Sequence, residues 1–374
     1  MALRDDVDPD GLDEFSVVFT DRSLNHMSAA FQEVMRDLSG GLREVYHAEA
    51  LALVPGGGTF AMEAVARQFG RGARAVVVRN GWFSFRWSQI FEAGGFVEEV
   101  DVLKARPAGN AGEAPFAPAP VEDVVARIRE LQPQVVFAPH VETSAGVILP
   151  DDYIRALADA AHEVGALMVL DCIASGCVWV DMAATGVDVL ISAPQKGWSS
   201  TPCAGVVMLS PLALERLEST QSDSFAMDLK KWRQIMAAYE MGGHAYHATM
   251  PTDGLRQFRD ALQETRAFGL GRAKEMQWAL GERVRAALAA RGQCSVAAEG
   301  YGAPGVVVSY TGDPEVQSGR AFAAQGTQIA AGVPLQCDEP EGFSTFRLGL
   351  FGLDKLKDVD GTVARLERAL DAVL

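Results

Sequence analysis

The chain has 374 residues, a formal net charge of −16 and a pI near 4.8. Such acidity, with no basic run anywhere, excludes nucleic acid and anionic membrane surfaces as partners, since both demand basic patches. Apolar residues make up 48% and charged residues 22%, which excludes a disordered chain and suits about two globular domains.

The opening, MALRDDVDPDGLDEF, reads as an acidic arm over residues 1–15, and it lacks the apolar stretch of a signal peptide. From Ser23 to Tyr46, Met27, Phe31, Val34, Met35, Leu38, Leu42 and Val45 recur at helical spacing. Ala48–Val54 reads as a strand, broken by Pro55-Gly56-Gly57-Gly58-Thr59. Met62, Val65, Ala66 and Phe69 then mark a second helix. A strand, a glycine turn and a helix in succession bring backbone amides and a helix N-terminus onto a phosphate.

A strand at Ala75–Val78 is followed by the aromatic segment Asn80-Gly81-Trp82-Phe83-Ser84-Phe85-Arg86-Trp87 and a strand near Phe96–Val102. Residues 104–120, rich in Ala, Pro and Gly, read as a loop. A helix, Val121–Leu131, leads to the strand Val135–Ala138, which ends in Pro139-His140-Val141-Glu142-Thr143-Ser144. The helix Asp151–Val164 precedes the apolar run Leu167–Leu170, which stops at Asp171. A second run, Val187–Ile191, is interrupted by Asp188 and empties into Ser192, Ala193, Pro194, Gln195 and Lys196 before a third, Ala204–Leu209. Helices alternating with apolar strands predict an α/β domain with a mostly parallel sheet flanked by helices. Ligands on such sheets bind at the C-terminal strand ends. Gly56–Thr59, Phe83, Thr143, Ser144, Asp171 and Lys196 all fall there.

From Thr252 to Arg291 the pattern predicts one or two amphipathic helices. Strands at Val306–Tyr310, Gln328–Ala330 and Thr345–Gly349 follow. A last helix carries Val359, Val363, Leu366, Leu370 and Val373 on one stripe. The division expected is a large domain over 16–255 and a smaller α+β domain over 256–374. No segment reaches the roughly 18–20 apolar residues of a membrane span. The five cysteines are odd in number and form no CxxC pair, so free thiols in the cytoplasm are expected.

Several motifs weigh little. Gly56–Ala61 matches GxGxxA, but the next strand ends in Arg79-Asn80 and no acid, which disfavours NAD, while the arginine could suit NADP. No Gly-Lys-Ser/Thr of a P-loop is present. His244 and His247 have no carboxylate or thiolate at ligand spacing, so no metal is expected. The rings of Trp82–Trp87 suit a core, with one free to stack on a planar cofactor.

Lys196 weighs more. The chain has seven lysines, and Lys104, Lys230, Lys231, Lys274, Lys355 and Lys357 stand in polar or amphipathic contexts. Lys196 alone lies between two core strands, near a buried acid. An amine with a usual pKa of roughly 10.4 becomes a nucleophile when desolvated or placed beside other cations. Schiff-base chemistry with pyridoxal 5′-phosphate (PLP) uses such an amine, plus a buried carboxylate that keeps the ring nitrogen protonated.

The ordering Gly-Gly-Thr, Asn-Gly-Trp-Phe, His-x-Glu-Thr-Ser, Asp-x-x-Ala-Ser, Gln-Lys, Tyr-His-x-Thr and Phe-Arg-x-Gly resembles the class V aminotransferases. The likeness is to the alanine–glyoxylate, serine–glyoxylate and 2-aminoethylphosphonate group, fold-type-I PLP enzymes, and it runs from about Arg22 to the C-terminus. It implies a homodimer that moves an amino group from a small amino acid to a small 2-oxo acid. In that likeness Lys196 bonds the cofactor, Asp171 meets the pyridine nitrogen, and Phe83 stacks on the ring. Ser144 or Thr143 meets the ring hydroxyl. Gly57, Gly58, Thr59 and Gln195 hold the phosphate, joined by Tyr246 and Thr249 of the other subunit. Arg347 clamps the substrate carboxylate. Glu14–Arg22 stands where relatives carry a Gly-Pro-containing loop. Two other readings stay open: a lyase or cysteine desulfurase of the same fold using Cys337, and a non-catalytic nucleotide- or ligand-binding α/β protein.

Overall fold

Seven strands form one sheet in the spatial order Ala50–Pro55, Ala204–Leu209, Val189–Ser192, Leu167–Asp171, Val135–Pro139, Arg74–Arg79 and Glu99–Lys104. The computed structural model describes residues 4–109 and 112–374. The first three residues of the expected arm, and Asn110 and Ala111 of the expected loop, lie outside the described residues. All adjacent pairs from Val189–Ser192 to Glu99–Lys104 are parallel. Ala204–Leu209 runs antiparallel to both its neighbours. The loop 193–203 before it is too short for a crossover, so the chain must turn straight back.

The central strands are buried along their whole length, as continuous Val/Leu/Ile runs covered on both faces require. The first helix, α1 (Ala29–Tyr46), starts where the Ser28 hydroxyl accepts from the Phe31 amide at 3.1 Å. It buries Phe31, Val34, Met35, Leu38 and Leu42, each worth about 2 kcal/mol of transfer free energy. Two further helices lie between the first strands: α2 (Gly58–Phe69) and α3 (Trp82–Gly94). The aromatic segment is therefore the start of a helix. Glycine at its N-cap and aromatics in its first turn hid that start. Helices at Pro211–Ser219 and Leu229–Glu240 also went unassigned from the sequence.

Gly269, at φ 101°, breaks the long amphipathic region into helices Thr252–Phe268 and Leu270–Ala289. The first packs on α1 and gives Leu255, Phe258 and Leu262 to the main core. The second gives Ala273, Leu280 and Val284 to another core, with Phe346, Leu348 and Leu370. There a three-stranded antiparallel sheet places Thr345–Gly349 between Val306–Tyr310 and Ala330–Ala331. The strand expected at Gln328–Ala330 is thus shorter and shifted. Part of the arm is held: Val7 is buried, and its carbonyl accepts from Arg256 at 2.8 Å. No helix among the described residues is long and apolar enough to cross a membrane.

Candidate active site

Register brings the chemistry to one edge of the large sheet. Asp171 pairs with Pro139 on one side and Ile191 on the other, so the loops after three parallel strands leave at the same level. Because the antiparallel strand begins where its neighbours end, Pro55 pairs with Ala204. The Gly56 amide donates to the Cys203 carbonyl at 3.0 Å. The glycine turn and the Lys196 loop are thereby tied together.

A cavity of about 240 Å³ opens at this edge, lined by Gly58, Thr59, Met62, Phe83, Arg86, Val141, Thr143, Asp171, Ile173, Ala174, Gln195 and Lys196. Sequence-expected residues from five separate segments meet in it. A larger groove, about 820 Å³, lies between the N-terminal segment and α1 and is lined by Glu14, Phe15 and Ser16 among others, but by none of these residues.

Each side chain has a physical setting. Gly58 opens α2, and a Cβ there would lie 2.5 Å from Ile173 Cδ1, so a larger residue would have to displace the Ile173 side chain from beside the helix N-terminus. The first-turn amides of a helix have no partner within it and attract anions. Gln195 lines the same wall, with its side-chain oxygen buried and unpartnered among the described residues. A half-turn of that amide presents its N–H2 to an anion instead.

Asp171 is buried and its Oδ1 accepts from the Ile173 amide at 2.9 Å. Burial pushes its carboxyl up to about 7, and the Glu142 charge adds to this. Such a carboxylate awaits a cationic N–H. Lys196 is drawn below the usual lysine range, chiefly by burial and then by the guanidiniums of Arg347 and Arg86. A planar, cationic, phosphate-bearing ring such as PLP fits this donor set: amides at one end, the buried Asp171 at the other, and an aromatic ring between.

Arg86 escaped the sequence reading. Its guanidinium lies 4.9 Å from the centre of the Phe83 ring and donates to the Thr59 hydroxyl at 3.0 Å. Arg347, on the small sheet, reaches the same ring at 5.5 Å while its Nε donates to the Ala331 carbonyl at 2.7 Å. Two cations thus flank one aromatic ring. Recognising Phe83 and Arg86 as neighbours on one helix face (i, i+3) would have found the first of them.

Not every expected residue faces the cavity. Thr143 does, whereas Ser144 is fully buried, donating to Glu142 at 2.7 Å and accepting from the Trp82 amide at 2.9 Å. Tyr246 and Thr249 are exposed, their hydroxyls 3.1 Å apart, and neither lines the cavity of its own chain. His244 and His247 gather no metal-ligand cluster; among the described residues none exists.

Cys337 is unsuited to nucleophilic work. It is buried, its thiol donates to the Arg79 carbonyl at 3.4 Å, and burial, with Glu142 and Glu339, pushes it up to about 12. At neutral pH the thiolate is scarce. Cys337→Ala should retain transamination within about threefold, a small core truncation away from the reacting atoms. Loss of the main activity, with sulfide released from cysteine by the unmodified protein, would restore the desulfurase reading.

Residues 15–315 match the family described as Aminotransferase class-V. Over 370 residues the chain is 29% identical to a 2-aminoethylphosphonate–pyruvate transaminase from Paraburkholderia phymatum, covering 93% of this chain and 91% of that protein. Over 351 residues it is 28% identical to a protein from a Synechococcus species named soluble hydrogenase, small subunit, covering 93% and 87%. Among solved structures, an aspartate aminotransferase of subgroup IV from Thermus thermophilus superposes with a TM-score of 0.77 at 28% identity, covering 94% of each chain.

Proposed function

We infer the reaction from the family: the chain belongs to the class V aminotransferases and is a PLP-dependent transaminase. The donor is a small amino acid such as alanine or serine, and the acceptor a small 2-oxo acid such as pyruvate or glyoxylate. The observation that carries this reading is the single cavity that joins Lys196, Asp171 and Phe83, with Arg347 against the Phe83 ring.

The α2 amides at Gly58 and Thr59, reached past Gly57, would hold the cofactor phosphate together with the Thr59 hydroxyl and the Gln195 amide. Asp171 would face the ring nitrogen, Phe83 would cover the ring, and Thr143 would meet its hydroxyl. Bound there, PLP supplies an electron sink for the charge left at the substrate Cα. The chain's own residues do the rest. Lys196 Nζ, with its basicity lowered, would take the proton from Cα and deliver it away from Cα, as transfer of the amino group requires. Arg347 would offer its planar fork to the substrate carboxylate and so hold the substrate in one orientation.

A coupled activity panel of amino acids against 2-oxo acids tests the reaction. Turnover should require a 2-oxo acid and favour pyruvate or glyoxylate. Arg347→Ala should weaken carboxylate substrates by about 2–5 kcal/mol in kcat/KM, the range for a charge pair left half-empty. Turnover independent of any oxo acid would point to a lyase.

The assembly we propose is a homodimer in which Tyr246 and Thr249 complete the phosphate site of the partner. Their exposure and their absence from the lining of their own cavity support this, as do the exposed apolar side chains Phe225 and Met241 on neighbouring segments. Mixing inactive Lys196→Ala chains with chains carrying Tyr246→Phe and Thr249→Ala should restore one sound site per hybrid dimer. A mixture shown to exchange subunits, yet without recovered activity, would refute the shared site. With four of five cysteines buried as free thiols, we place the protein in the reducing cytoplasm.

A further inference from the structure

Glu142 is fully buried directly behind the cavity, and no role assigned above uses it. Its carboxylate is crowded with donors. Oε1 accepts from the amides of Phe83 at 3.2 Å and Ser144 at 3.1 Å and from the Ser144 hydroxyl at 2.7 Å. Oε2 accepts from the Ser84 amide at 2.9 Å and the Ser84 hydroxyl at 2.7 Å. Ser144 in turn takes the Trp82 amide at 2.9 Å. The first three amides of α3 therefore all end on this pair of residues.

The arrangement replaces an ordinary helix cap. The N-cap residue of α3 is Gly81, which has no side chain with which to hold the free amides. A Cβ at Gly81 would collide with Ser144 Oγ and lie 2.8 Å from Glu142 Cδ, so the glycine is what lets a carboxylate from another strand enter. A buried anion at a helix N-terminus also gains from the helix dipole.

The two elements joined carry the cavity's walls. Phe83 and Arg86 project from the first turns of α3, and Thr143 follows Glu142 in the chain. We propose that Glu142 is the positioning residue of the site. As a buried carboxylate shared by α3 and the Thr143 loop, it fixes the ring-covering Phe83 against Thr143 and so sets how the cofactor ring is gripped. Glu142 itself does not line the cavity. This rests on the PLP reading given above.

Glutamine tests the charge at nearly constant shape. Both oxygens accept at least two donors, so whichever way the amide lies, its N–H2 must face N–H groups. The full-length protein is compared as apoenzyme and after PLP addition. The measurements are apoenzyme thermal unfolding, PLP affinity by fluorescence titration, visible circular dichroism of the bound cofactor, and kcat and KM. Glu142→Gln should bind PLP at least about tenfold more weakly and lose half or more of the visible dichroism. Its kcat should fall more than its KM changes. Ser144→Ala, which removes one hydroxyl from the cluster and leaves the charge, should move each value in the same direction by less.

A Glu142→Gln protein with wild-type PLP affinity and dichroism overturns the proposal, however far its unfolding temperature drops, because a purely structural acid would behave so. Should that variant fail to fold, unchanged affinity and dichroism in Ser144→Ala overturn it equally. A wild-type protein that binds no PLP sinks the cofactor reading itself and this inference with it, an outcome the unmodified control separates from the others.

Discussion

Lys196→Ala should remove turnover by about 10⁴-fold or more and leave the fold intact. Proton transfer by a positioned group is by itself worth about 10²–10⁴, and in the function proposed above this amine would also make the bond to the cofactor. The expectation rests on geometry: among the chain's lysines, Lys196 lines the cavity, and burial with Arg347 and Arg86 keeps it less basic than an exposed amine. Borohydride added to the yellow enzyme should fix the colour covalently, and peptide mapping should find the label on the peptide that contains Lys196. A label on another lysine, or a Lys196→Ala protein that still turns over at wild-type rate, would end this account.

Asp171→Asn should slow turnover by about 10²-fold or more, on the scale of deleting one charge-stabilising group from a preorganised site. An amide of the same size fills the space but cannot hold a pyridine nitrogen protonated. A second readout needs no cofactor. In the apoenzyme the Asp171 carboxyl is pushed from 3.8 up to about 7 by burial. Its contribution to stability is therefore fully present below about pH 4, declines as the unfolded chain ionises, and is lost once pH passes about 7. Apoenzyme carrying Asp171→Asn lacks that slope, so its stability relative to wild type should rise between pH 4 and pH 7. Denaturant titrations at several pH values measure it. Parallel curves for the two proteins, with unchanged kcat, would reduce Asp171 to an ordinary buried acid.

Much of this was readable along the chain, because the signals are local. Apolar runs of strand length, glycine turns and helical stripes report what each segment buries, and a parallel sheet follows from their alternation. Lys196 and Asp171 stood out since a charged residue at the end of a core strand is costly unless used. Asp188, which interrupts the next apolar run, is a second acid among the core strands. The fold separates the two acids: Asp171 ends its strand at the cavity, while Asp188 precedes the next and is consumed there. Its carboxylate accepts from the Met168 amide at 2.8 Å and the Ser210 hydroxyl at 2.9 Å, and pairs with His162 at 2.9 Å.

What the tertiary structure alone decided concerns direction and partnership. The reversed strand Ala204–Leu209 has the same apolar run as its parallel neighbours, and burial on both faces erases any mark of polarity. Adjacent residues such as Thr143 and Ser144 share one motif, yet one lines the cavity and the other turns to Glu142. Arg86 and Arg347 lie far apart in sequence and meet over one ring only because the small sheet packs beside α3. Sequence spacing reports which face of an element is buried; it carries no record of what that face meets, since those neighbours come from distant segments brought together by packing.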